Sequence, residues 1–132
     1  MNERGDASVE FLGILVVLVI PVFYIVLAIG QVSAGAMAVD AGAREAARIL
    51  AQDSERRADA ERAVALIVED FGVDAPASVS SSCAACASSE GAIEVSVSVR
   101  VPLPFMPAWL GAVGVTVSSS ASAPVREVVA GG

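Results

Sequence analysis

Phe11-Leu12-Gly13-Ile14-Leu15-Val16-Val17-Leu18-Val19-Ile20-Pro21-Val22-Phe23-Tyr24-Ile25-Val26-Leu27-Ala28-Ile29-Gly30 is a run of 20 residues without a charge. At about 1.5 Å per residue, a helix over this run reaches the roughly 30 Å of a bilayer core, so by length it is a membrane span. It divides the chain into a short N-terminal flank, the span and a long tail. Glu10 stands at the lip of the span. A carboxylate there costs up to a few kcal/mol unless a cation meets it, which makes it a functional-site hypothesis. The chain has no lysine, and the nearest arginine is Arg4.

The flank reads Arg4-Gly5-Asp6-Ala7-Ser8-Val9-Glu10. A glycine, four residues, a glutamate and a long apolar helix resemble the processing and assembly signal of type IV prepilins. The wider stretch from Arg4 to Leu15, followed by Pro21, resembles the TadE-like proteins of tight-adherence (Flp) pilus systems. This resemblance implies that a prepilin peptidase in the membrane cuts between Gly5 and Asp6, leaving residues 1–5 as a short leader. It also implies that Glu10 pairs with the freed amine of a neighbouring subunit during assembly. The implied partners are the membrane, the prepilin peptidase, other pilin-like subunits and the pilus assembly machinery. Asp6 departs from the hydrophobic residue usual after the cut. A plainer reading of Glu10 stands beside this one: a carboxylate in the first turn of a helix gains about 0.3 to 1 kcal/mol from the helix dipole.

The 132 residues are 55% hydrophobic and only 5% aromatic, so alanine and valine carry most of the apolar content. Beyond residue 39, 12 acids face 7 arginines, a net charge of −5. An acidic tail repels phosphate backbones, which argues against nucleic-acid binding. A secretory signal peptide is a rival for the N-terminal segment, since Ala36-Met37-Ala38 satisfies the small-x-small cleavage pattern. The apolar run, however, exceeds the roughly 7 to 15 residues of a signal h-region.

Past Gly30 no turn signal interrupts the pattern, and one long helix is expected from about Ser8 to Gln52, bent at Pro21. Asp40 to Leu50 reads as exposed helix with an alanine face. Gly30, Gly35 and Gly42, with Ala34, Ala38 and Ala46, either let another helix approach closely or are neutral filler. A second, amphipathic helix is expected between a cap at Ser54 or Asp53 and Gly72. Its apolar positions are Ala60, Ala63, Val64, Ile67, Val68 and Phe71. From Val73 the period becomes two. Ile93 to Val101 is the cleanest strand, Val113 to Val117 a second, and Ala77 to Ser82 a weaker third. The expected fold is α+β: a long N-terminal transmembrane helix continuing into an exposed helix, a second amphipathic helix, and a small antiparallel three-stranded sheet. The expected organisation is a pilin-like helix over 6–52, spanning the membrane at about 11–30, and a small extracytoplasmic domain over 53–132.

Arginines on both sides of the span leave its orientation open by charge alone. The resemblance, the long polar tail and the cysteine pair favour a single-pass protein of the cell membrane. Its N-terminus is then cytoplasmic and its C-terminal domain extracytoplasmic, with incorporation into a pilus as the assembled state. Cys83-Ala84-Ala85-Cys86 admits a structural disulfide, free thiols, or a redox or metal role. Zinc usually needs four ligands, which this chain could complete only from carboxylates or a second subunit, and a catalytic thiol would want a helix N-terminus and a cation nearby, so the disulfide of Cys83 with Cys86 is favoured. The loop Pro102-Leu103-Pro104-Phe105-Met106-Pro107-Ala108-Trp109-Leu110 could cap the small core, rest on the membrane interface or touch another subunit; capping is the first expectation.

Without histidine, lysine, a nucleophile motif or a phosphate-binding glycine loop, no catalytic residue, metal, cofactor or small-molecule substrate is expected. Two functions remain: a minor pilin or pseudopilin of a tight-adherence pilus, acting through subunit packing, and a permanently anchored envelope scaffold that no prepilin peptidase processes.

Overall fold

A computed structural model describes residues 3–84, 91–111 and 113–125. The fold is α+β. Helix α1 (Glu3–Gln52) is followed by α2 (Arg57–Asp70) and by strands β1 (Ala77–Ala84), β2 (Ala92–Pro102) and β3 (Gly114–Pro124). The strands form one open antiparallel sheet in the order β1-β2-β3. α1 begins earlier than Ser8 and remains helical through Pro21. Its N-terminal half is long and apolar enough to cross a membrane, and none of its most apolar window is buried within the chain.

The C-terminal half of α1 is not the exposed helix that its charges suggest. Ala38, Val39, Ala43, Ala46, Ala47, Ile49, Leu50 and Ala51 are all buried, while Arg44 and Arg48 point outward. The alanine face is the seat of the core: β2 and β3 pack against it from one side and α2 from another. Alanine and glycine suit this position because two layers converge on one helix, and short side chains let both backbones come close. A Cβ on Gly42 would lie 3.4 Å from Val64 of α2. One on Gly35 would collide with the Val101 side chain of β2 and sit 3.3 Å from Val117 of β3. The small-residue stripe therefore serves packing within the chain at Gly35, Ala38, Gly42 and Ala46, whereas Gly30 is exposed. The packed body reaches back into α1 to Gly35 and does not begin at residue 53.

β2 lies beside this half of α1 and runs the opposite way. Val101, near its end, meets Gly35. At the other end Ala121, Ala123 and Pro124 of β3 line a groove with Ala47, Ala51 and Gln52, and Ala123 is paired with Ile93. Residues 35–52 of a helix and 93–101 of a strand each measure about 26 Å, so the two elements match in length. Ile93, Val95, Val97, Val99 and Val101 are buried on the helix side, as their alternation predicts. The other face carries cross-strand rows of hydroxyls, Ser78-Ser98-Ser118 and Ser80-Ser96-Ser120. A sheet with one polar face needs helices on the other side only.

α2 starts a turn later than its expected cap. Asp53 accepts a hydrogen bond from the Glu55 N–H (2.9 Å) and shapes a turn, and the helix then begins without a side-chain cap. Its end follows the expected signal. Gly72, at φ +72°, donates to the Glu69 carbonyl (2.8 Å) and Val73 to the Val68 carbonyl (3.1 Å), the paired bonds of a Schellman motif. Val68 and Val73 are both buried, supplying the apolar contact of that motif. Ala60, Val64 and Val68 face the core, but Phe71, expected there, is 40% exposed. It is the cap residue, one position beyond the last helical one, and the Gly72 turn carries it off the packed face.

β3 is longer than its valine alternation indicates and continues through Ser118 to Pro124. Serine and alanine are weak strand formers, yet full pairing with β2 overrides that preference.

Candidate functional site

Gly5, Asp6 and Glu10 all lie on the exposed surface of α1. A Cβ on Gly5 would meet nothing within 4 Å, so no packing within the chain requires a glycine there. The bond expected to be cut, between Gly5 and Asp6, is inside the first turns of the helix. Asp6 and Glu10, four residues apart, share a face.

Glu10 is seven residues past Glu3, where α1 begins. The dipole interaction fades beyond the first turn, so it offers little to a carboxylate at this position. Among the described residues Glu10 has no ion-pair partner. From it runs a continuous apolar stripe through Gly13, Ile14, Val17, Pro21 and Ile25, which lines a shallow groove down one side of the helix. Chemically this is a single carboxylate at the head of an uncovered apolar helix face, suited to helix–helix packing in lipid.

The charges elsewhere on the helices are local surface pairs. Arg44 meets Asp40 at 2.9 Å, Arg57 meets Glu61 at 3.1 Å, and Arg48 donates to Glu45 at 3.0 Å. The Arg48 hydrogen bond holds the Glu45 carboxyl below its ordinary pKa. Exposed pairs of this kind contribute about 0 to 1 kcal/mol each. Side-chain links also join the helices to the sheet: Arg57 donates to the Val79 carbonyl of β1 (3.2 Å), and the Ser119 hydroxyl of β3 donates to Asp40 (3.3 Å).

Cys83 is disulfide-bonded and exposed near the end of β1, away from the span. Cys86, the chain's other cysteine, lies outside the described residues. A Cys83–Cys86 bridge would close a loop of four residues, and Cys83→Ser is expected to lower tail stability by up to about 2 kcal/mol with membrane insertion unchanged. Denaturant melts of the two proteins under oxidising conditions measure this, and coincident curves would remove the bridge from the account of stability.

The proline-rich loop does not cap the core. Phe105 is 84% and Trp109 82% exposed, with Met106 and Leu110 also in the open. β2 ends at Pro102 and β3 begins at Gly114, so the sheet stops here and the loop reaches past it without packing on the core.

No family model matches the chain, and no curated protein or solved structure does so either.

Proposed function

We propose that this protein is a pilin-like membrane component, a minor pilin or pseudopilin, of a tight-adherence pilus assembly system. In this reading α1 crosses the membrane once with its N-terminus in the cytoplasm, and the tail stands outside the cell. The helix packs with other pilin-like helices, and Glu10 fixes the register by meeting the amine released when the prepilin peptidase cuts after Gly5. The observation that carries the reading is Glu10 itself. Among the described residues it stands without a cation at the head of an exposed apolar stripe. Such a carboxylate is costly in a monomer and gains a partner on assembly.

The test is the N-terminal residue of the mature protein, read by mass spectrometry of membranes from cells with and without the prepilin peptidase. A start at Asp6 that depends on the peptidase is expected. An uncut N-terminus in both strains would instead favour the permanently anchored scaffold. A start at Val39 would mean a released domain. Such a cut would also remove Gly35 and the buried Ala38 and uncover Val101 and Val117.

A further inference from the structure

The end of the tail nearest the span is apolar and open. Phe71 at the end of α2, Val115 at the start of β3, and Phe105, Trp109 and Leu110 in the β2–β3 loop are all exposed. No charged residue occurs from Val101 to Val117. Phe105 has φ +58°, a backbone region that bulky residues rarely occupy, and its phenyl is nonetheless left in the open.

This end lies beside the last turns of the span. Phe71, Val73, Pro102 and the exposed carboxylate Asp74 line one cleft with Val26, Leu27 and Gly30 of α1. Within 11–30 the half-covered residues are Tyr24, Leu27 and Ala28, on the helix face that continues toward Gly35. Val26 lies four residues before Gly30, which places the lower edge of this cleft about 6 Å inside the outer limit of the apolar run.

We infer that this end of the tail is a membrane-seating surface. Phe71, Phe105, Trp109 and Leu110 enter the boundary between headgroups and acyl chains of the bilayer that α1 crosses. The depth agrees with the roughly 5 to 10 Å at which interfacial apolar faces sit. Tryptophan is favoured in that layer because its ring is apolar and its N–H finds a partner there. Continuity with the span is what selects lipid as the occupant: a surface at this height beside a transmembrane helix meets the bilayer before it meets anything in solution. The inference rests on α1 crossing a membrane, and not on the pilus reading.

Trp109 is the chain's only tryptophan and serves as the probe. The full chain is reconstituted in phosphatidylcholine vesicles, and flotation with resistance to carbonate extraction first establishes the anchor. The expected result is blue-shifted Trp109 emission, most of which is lost when the lipids are brominated near the top of the acyl chains and little of which is lost to aqueous acrylamide. In a Phe105→Ser, Leu110→Ser variant that still floats and keeps its circular dichroism melt, Trp109 becomes accessible to acrylamide. Acrylamide quenching without bromolipid quenching in floated vesicles would place the loop in water and overturn the inference. Blue emission insensitive to both quenchers would place it against protein, such as a second copy, and overturn it equally. Failure to float would remove the anchor on which it stands.

Discussion

Glu10→Gln is expected to leave the protein in the membrane and abolish its contribution to pilus assembly. The two halves of this result have opposite energetic origins. Removing a charge from the edge of an apolar run relieves up to a few kcal/mol of desolvation, so insertion is unimpaired or improved. Breaking a charge pair in a low-dielectric contact by deleting one partner costs about 3 to 5 kcal/mol, because the other charge stays buried and unmatched. At roughly 1.4 kcal/mol per tenfold, that weakens each subunit contact by two orders of magnitude or more. The measurement is sheared surface pili against membrane-fraction protein in the same strain. Normal piliation by Glu10→Gln would eliminate the assembly role, whereas loss of the protein from membranes would point to a role in insertion.

Gly35→Leu is expected to lower the thermal midpoint of the tail by about 10 °C or more, taking a cost near 3 kcal/mol for overpacking in a domain of this size. The first added carbon already collides with Val101, and Val117 closes the space beside it. Neither valine can turn away easily, because β-branched side chains have few rotamers and Val101 is buried in the central strand. Gly35→Ala should be milder, since the gain in helix propensity of roughly 1 kcal/mol offsets part of the clash. Gly30→Leu is the control, for Gly30 is exposed and a Cβ there meets nothing. Melts of the full chain in detergent separate the cases, and equal midpoints for Gly35→Leu and Gly30→Leu would mean that α1 and β2 are not packed as described.

Much of this fold is legible in the residues because local physics repeats there. Twenty uncharged residues make a helix long and apolar enough to cross a membrane, alternating valines make β2, and a glycine after an amphipathic run ends α2. The misreadings share one cause. Asp40 to Leu50 resembles a solvated helix because alanine is as common on exposed helices as in tight packing, and only the sheet and α2 pressing on it reveal which applies. The second half of β3 carries serine and alanine and has no strand signal of its own; β2 recruits it by pairing. Phe71 follows its helix's apolar period yet falls beyond the last packed turn.

The candidate site divides in the same way. The Gly5 to Glu10 spacing is visible in one dimension. That Glu10 of the uncut chain lies past the reach of the dipole depends on α1 starting at Glu3, and that the proline-rich loop lies at the Gly35 end of the packed body depends on β2 running opposite to α1. What the sequence by itself determined is the set of elements and the stretch long and apolar enough to cross a membrane, since both follow from short-range periodicity and length. What only the tertiary structure decided is which faces meet: that α1's alanines are the core, and that the aromatic loop stays exposed instead of covering that core. Those outcomes depend on residues distant in the chain competing for the same surface, and no local pattern records which of them wins.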